Sequence, residues 1–268
     1  MTRILQISDP HIGVAGQLLG GMIDTATALS RTVEWIARNL RAIGPIDAVI
    51  VTGDLVESGR PEEYAHFLRL IAPLPLPWFA IPGNHDNREV MREAFSHLHW
   101  MPDHGAINLH LQFDGLDVVA LDSHVPGAGH GILGNGTLGF LDRALDTAGR
   151  RPVLVAVHHH PFRSGIRAMD ALGLLAPEPL LARLAGHRAG AQLVCGHLHR
   201  AVTTVAAGVL CQSCPSPSHA LALRLQPDQP LALMLEPGAI MLHCAEDGAI
   251  RSHLIPTAPA PGPIEPGA

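Results

Sequence analysis

Five short apolar runs, each breaking off into residues that bind metals or carry protons, constrain this chain more than any other feature. Residues 4–7 run into Ser8-Asp9-Pro10-His11, residues 48–51 into Thr52-Gly53-Asp54, and residues 78–81 into Pro82-Gly83-Asn84-His85-Asp86. Residues 153–157 run into His158-His159-His160-Pro161, and residues 193–195 into Gly196-His197-Leu198-His199. Runs so short and so uniformly apolar fit strands buried on both faces.

Helical periodicity lies between them. Residues 26–43 place Leu29, Val33, Ile36, Ala37 and Leu40 at helical spacing. Residues 61–70 open with Pro61, Glu62 and Glu63, a favourable first turn. Residues 89–95, 137–145 and 179–184 read as shorter helices. Alternating strand and helix predicts an α/β layered domain with a largely parallel central sheet. Residues 107–113 and 117–121, joined through Asp114-Gly115, predict a hairpin. After His199 the helical patterns stop. Residues 202–205, 209–212, 220–225, 231–235, 239–243 and 250–254 read as short strands, expected to form a second, mostly antiparallel sheet packed on the first. The expectation is one domain over residues 1–255, followed by a loose tail at 256–268 that holds five Pro and two Gly.

Composition narrows the chemistry. The chain has 268 residues, 47% hydrophobic and 16% charged, which excludes a disordered polymer. All 18 basic residues are Arg, so P-loop NTPases, protein kinases and Schiff-base enzymes, which need a lysine amine, are excluded. Histidine is in excess, 18 against 6 Phe, 3 Trp and 1 Tyr, as metal or proton chemistry would require. A net charge of -6 and few aromatics argue against a nucleic-acid binder. No apolar run approaches the ~20 residues of a membrane span, and residues 1–6 read as a strand opening rather than a secretory leader. Four cysteines, including Cys211 and Cys214 in one C-x-x-C, are too few for a disulfide framework and read as small buried residues of a cytoplasmic protein.

In open α/β sheets the site forms beyond the carboxyl ends of the strands. A parallel sheet would gather Asp9, His11, Asp54, Asn84, His158, His197 and His199 at one edge. That is too many nitrogen and oxygen donors for one tetrahedral zinc and suits two adjacent divalent metals. In Asp9-Pro10-His11 and His197-Leu198-His199 the paired side chains point the same way if the backbone is extended. Asp54 has two oxygens with which to bridge two ions. Gly53, Gly83 and Gly196 fall where the backbone must turn or approach closely. His159 and His160 compete with His158, which ends its strand directly. His66, His97, His99, His104, His110 and His187 lie in helical or loop patterns and read as structural or surface residues. Gly129-His130-Gly131-Ile132-Leu133-Gly134 matches a dinucleotide fingerprint but lies well past its strand and lacks an acidic partner at the end of a second strand, so it reads as a loop. The Asn135-Gly136-Thr137 sequon is idle in a cytoplasmic protein.

The series Asp9-x-His11, Gly53-Asp54, Gly83-Asn84-His85-Asp86, His158 and Gly196-His197-x-His199 resembles the calcineurin-like metallophosphoesterase superfamily, with no motif missing. Within it the chain is most similar to the class III cyclic-nucleotide phosphodiesterases and the related bacterial glycerophosphodiesterase, on Gly59-Arg60-Pro61-Glu62-Glu63-Tyr64, Ile23-Asp24 and Leu121-Asp122-Ser123. The resemblance implies a four-layer α/β/β/α sandwich with a dimetal site at the carboxyl ends of the strands. It implies that Asp9, His11, Asp54 and His199 hold one ion and that Asp54, Asn84, His158 and His197 hold the other. The mixed donors suit Mn, Fe or Zn. The resemblance also implies that Asn84 and His85 stand at the substrate phosphate, with His85 as the catalytic residue outside the ligand set. The implied reaction is attack of a metal-bound hydroxide on a small phosphodiester. A 3′,5′-cyclic nucleotide such as cAMP leads; a glycerophosphodiester or a broader range of phosphomono- and diesters is the alternative, and a non-catalytic scaffold of the same fold, which should have lost ligands or His85, comes last. The exposed strand edges of the C-terminal third and the resembled enzymes both point to a homodimer.

Overall fold

The structure, a computed structural model, describes residues 1–226, 228–262 and 264. The first half of the chain runs β1 (Thr2–Ile7), α1 (Thr25–Ile43), β2 (Ala48–Thr52), α2 (Pro61–Ile71), β3 (Trp78–Ile81), α3 (Arg88–Ala94), β4 (Leu109–Phe113), β5 (Leu116–Leu121) and α4 (Asn135–Ala148). The second half runs β6 (Val153–Val157), α5 (Arg167–Asp170), α6 (Glu178–Gly186), β7 (Ala191–Cys195), β8 (Thr203–Ala206), β9 (Val209–Ser213), β10 (Ala220–Leu221), β11 (Leu233–Met234), β12 (Ala239–Glu246) and β13 (Ala249–Pro256).

Local chemistry sets the helix starts. Asp24 caps α1, its carboxylate accepting from the Thr27 amide at 2.9 Å. Pro61 opens α2, and Glu63 accepts from the amides of Ser58 and Arg60.

Two sheets form, ordered β13-β12-β1-β2-β3 and β4-β5-β6-β7-β9-β8. In the first, β1, β2 and β3 are parallel. In the second, β5, β6, β7 and β9 are parallel. Strand alternation then makes the layers. Val153, Val155 and Val157 of β6 pack with Leu141 of α4 and Leu180 and Leu184 of α6. Leu154 and Ala156, on the opposite face, meet Ile4, Ile50 and Ile81 of the first sheet. The far side of the first sheet packs Leu5, Val49 and Val51 on Leu29, Val33 and Ile36 of α1 and Phe67 of α2. The product is the four-layer α/β/β/α sandwich, and the central strands read as unbroken apolar runs because both faces are covered.

Two expectations are corrected. The five signature strands do not share one sheet: β1, β2 and β3 lie in the first, β6 and β7 in the second. Doubly buried strands look alike in sequence whichever sheet receives them. Nor does the C-terminal third build a sheet of its own. β8 and β9 complete the second sheet, β12 and β13 complete the first, and β10 and β11 pair only with each other. The strands expected at 220–225 and 231–235 shrink to two residues each, leaving Leu223, Leu225 and Leu235 exposed.

All four cysteines are buried and free. No described helix is long and apolar enough to cross a membrane. β13 extends to Pro256, and Thr257 remains pinned, donating from its amide and hydroxyl to the carbonyl of Gly238. Of the expected loose tail, residues 263 and 265–268 lie outside the described residues.

Candidate active site

The carboxyl ends of the two sheets face one another across a single cleft. The loops after β1 and β2 zip together, the Asp9 amide donating to the Gly53 carbonyl at 3.1 Å and the His11 amide to the Asp54 carbonyl at 2.9 Å. The loop after β7 joins from the other sheet, with the His197 amide donating to the Asp9 carboxylate at 2.9 Å.

These loops are not extended, contrary to the expectation from two-residue spacing. Asp9, His11, Asp54, His197 and His199 have φ values of 54°, 47°, 48°, 68° and 50°. Left-handed backbone costs a side-chain-bearing residue about 1–3 kcal/mol and persists only where the surroundings enforce it. It turns each donor inward at a place where an extended chain would carry it past the cleft. Close approach explains the neighbouring glycines. A Cβ on Gly53 would enter the His158 ring, and one on Gly83 the Asp54 carboxylate.

All seven expected metal-binding residues meet here. Asp9, His11, Asp54 and His199 are buried, with donor atoms within 4.8 Å of one another. His11 Nε2 lies 3.1 Å from His199 Nε2, and His199 Nε2 lies 3.4 Å from Asp9 Oδ1. Next to them, His158 Nε2 lies 3.1 Å from Asn84 Oδ1 and 3.2 Å from His197 Nδ1. Asp54 joins the groups, its Oδ2 being 3.5 Å from His11 Nε2 and 3.4 Å from His158 Nε2.

The donor set fits divalent cations. His158 Nδ1 donates to the Thr52 carbonyl at 2.8 Å, which leaves an Nε2 lone pair facing an amide oxygen, a carboxylate and another imidazole. His197 Nε2 and His199 Nδ1 are buried with no protein partner. The field has the matching sign. Burial disfavours charge on His158, but Asp54 and Asp9 outweigh it and raise its pKa to about 9. Burial likewise works against the Asp54 carboxylate, yet His158 and His11 hold it well below the usual range. A position that draws a proton onto a buried imidazole also draws a metal ion.

His85 is set apart from this cluster. Its Nδ1 donates to the Glu57 carbonyl at 2.8 Å, leaving Nε2 free, and its ring stands edge-on to His11 with centroids 4.6 Å apart. Burial lowers the His85 pKa, but Asp54 and the Glu57 carbonyl and carboxylate raise it more, for a net upward shift. Asp86 is structural: Oδ2 accepts from the amides of Gly83 and Leu55, and Oδ1 from the Tyr64 hydroxyl.

Three participants escaped the sequence reading or were ranked low in it. Glu57 accepts from His11 Nδ1 at 2.8 Å, from a position that belongs to no motif. His219 lies 4.5 Å from His199, ring to ring. It follows β9, which is parallel to β7 and therefore ends at the same edge; that was the available signal. His159 shares a donor cluster with His158 and His197, and its Nδ1 is 2.7 Å from the Ser123 hydroxyl. Within the dinucleotide-like glycine run, Gly131 is explained by this ring, because a Cβ there would collide with it. His160 is buried nearby, stacked on His197 at 5.7 Å.

Two stacked sheets that bring two clusters of oxygen and nitrogen donors around one shared carboxylate define a metal-dependent phosphoesterase, with room for a pair of divalent ions. The chain belongs to the calcineurin-like phosphoesterase family, whose model matches residues 2–201. It is 39% identical over 201 residues to the 3′,5′-cyclic adenosine monophosphate phosphodiesterase CpdA of Pseudomonas aeruginosa, covering 74% of this chain and 69% of that one. It is 34% identical over 226 residues to a probable glycerophosphodiester phosphodiesterase GpdQ of Arcobacter nitrofigilis, covering 84% and 82%. Among solved structures, a purple acid phosphatase from yellow lupin (Lupinus luteus) seeds superposes with a TM-score of 0.71 at 13% identity, over 96% of this chain and about half, 51%, of that longer one. That likeness is one of fold.

Proposed function

We propose that this chain hydrolyses a small phosphodiester, a 3′,5′-cyclic nucleotide such as cAMP before others. The observation that carries the reading is Asp54, whose Oδ2 lies within 3.5 Å of His11 and 3.4 Å of His158 and so faces both donor clusters. In this reading Asp9, His11, Asp54 and His199 hold one divalent ion and Asp54, Asn84, His158 and His197 the other. Mn, Fe or Zn would supply Lewis acidity, lowering the pKa of water and neutralising phosphoryl oxygens.

The protein's own groups do the rest. The Asn84 amide, beside the second cluster, orients the phosphate. His85 offers Nε2 to the leaving oxygen, and its raised pKa keeps a proton available for the departing alkoxide. Glu57 fixes His85 through the backbone and His11 through the carboxylate. A glycerophosphodiester is the second reading, favoured by the likeness to the Arcobacter protein over most of both lengths. The same proposal takes residues 1–255 as one catalytic domain of a cytoplasmic homodimer, with the edge strand β13 in the contact.

The test is an activity panel on Mn-loaded protein with cAMP, cGMP, 2′,3′-cyclic nucleotides, glycerophosphodiesters, a nitrophenyl diester and, as phosphomonoester, nitrophenyl phosphate. Turnover of cyclic nucleotides above the others is expected. Turnover of phosphomonoesters alone would overturn the proposal.

A further inference from the structure

The cleft over the two donor clusters has a volume of about 220 Å³ and two unlike sides. One carries the histidines and carboxylates already described. The other is built from Leu19, Met169, Leu172, Leu221, Leu231 and Leu233. β10 and β11 pair Leu221 with Leu233, so the two stand side by side on one face of the ribbon, and Leu231 lies one strand repeat before Leu233. Leu231 and Leu233 remain 46% and 48% exposed. Arg200 anchors the ribbon, donating to the Leu221 carbonyl at 2.7 Å and to Glu236 at 2.8 Å. Met169 and Leu221 are buried in a small cluster with Ile166 and Leu198, while Leu231 and Leu233 stand half-open above it as an apolar surface beside the polar site.

Charge is the second observation. None of the described residues lining the cleft is Arg, and the sequence holds no Lys. The carboxylates on its wall are Asp54 and Glu57. Beyond the metal ions, His85 and the Asn84 amide are the groups there that can meet negative charge on phosphate; no Arg or Lys adds to them, and Glu57 opposes a second charge. The leucine side also lacks any side-chain donor or acceptor.

From these we infer that the leucine wall selects the organic half of the substrate: a flat, ring-bearing group such as a nucleobase, gripped by its faces, on a singly charged diester. The inference rests on the phosphodiesterase reading and adds three consequences. Cyclic purine nucleotides are preferred over diesters of glycerol. Adenine and guanine are treated alike, because nothing on the wall reads their edges. Phosphomonoesters are turned over poorly.

Leu231→Ser and Leu233→Ser test it; both side chains are half exposed, so the fold tolerates them. With cAMP, each is expected to raise KM about tenfold, the worth of one apolar contact of this size, with the larger part of the loss in KM rather than kcat. The kcat/KM preference for cAMP over glycerophosphoethanolamine should fall by the same factor. Wild-type kcat/KM values for cAMP and cGMP should agree within about tenfold. Leu233→Arg, which adds the missing cation, should raise turnover of nitrophenyl phosphate relative to bis(nitrophenyl) phosphate about tenfold. Calorimetric titration with adenosine reads the wall without catalysis, and both serine variants should weaken it. Cyclic-nucleotide hydrolysis with KM and adenosine affinity unmoved in both variants would overturn the wall and leave the phosphodiesterase reading standing. Absence of diester hydrolysis, with adenosine binding still leucine-dependent, would overturn that reading instead.

Discussion

Nδ1 of His11 lies 2.8 Å from Oε2 of Glu57. The contact fixes the imidazole as its Nδ1–H tautomer, so that Nε2 presents a lone pair to the cluster shared with Asp54 and His199. Removing such an outer partner usually costs about 10–100-fold in metal affinity. Glu57→Ala is therefore expected to weaken binding of one ion by that factor. Metal titration followed by calorimetry would show it; unchanged affinity for both ions would make Glu57 incidental.

Asp54→Ala should remove more metal than any other single ligand substitution, since only its carboxylate faces both clusters. Elemental analysis after dialysis measures this directly. Two ions retained per chain would disprove the bridge.

His85→Ala should lower kcat about 10²- to 10⁴-fold, the range for general acid–base groups, with metal content near wild type. The loss should be larger for a poor alkoxide leaving group, such as the ribose oxygen of a cyclic nucleotide, than for nitrophenolate. Equal losses would assign His85 to charge stabilisation at the phosphoryl oxygens. Loss of an ion would make it a ligand.

Acid sensitivity should trace in part to His243, which is buried and does not line the cleft. Burial pushes its pKa down to about 3, with His253 adding a little. The ring is held neutral between Gln6 Oε1 and the Ser252 hydroxyl. The unfolded chain takes up this proton near pH 6.5 and the folded chain only near 3, so stability falls as pH drops through that window. The loss from this residue reaches about 2 kcal/mol at pH 5. His243→Gln should flatten the acid limb of a denaturation series measured at fixed metal concentration; an unaltered slope would show that the ring titrates normally.

The sandwich and the seven converging donors were legible because each signature strand carries its donors at its own carboxyl end, and burial on both faces makes those strands plain in sequence. Membership of β6 and β7 in the second sheet was not legible, since Val153–Val157 would be equally apolar beside β2. Left-handed geometry at Asp9 and His197 was hidden too, because loops zipped across strands impose it, not local preference. Glu57 belongs to no motif, and the one signal for His219, its place beyond β9, depends on the pairing of β9 with β7. They matter through contacts made after the chain has closed. The two-residue strands β10 and β11 were overread as six and five residues long because apolar alternation looks the same whether it faces a core or an open cleft.

Five of the eight described non-glycine residues with positive φ are proposed metal ligands. Their loops come from both sheets, so bound ions would rivet the two halves of the sandwich, while the empty chain carries the torsional strain alone. Ligands that bind only the native state stabilise it by mass action, about 4 kcal/mol at a thousandfold excess over Kd. A chain short of its ions would lose that contribution and keep the strain. The amount of intact protein would then follow the supply of its cofactor, with no regulator needed beyond the loops themselves.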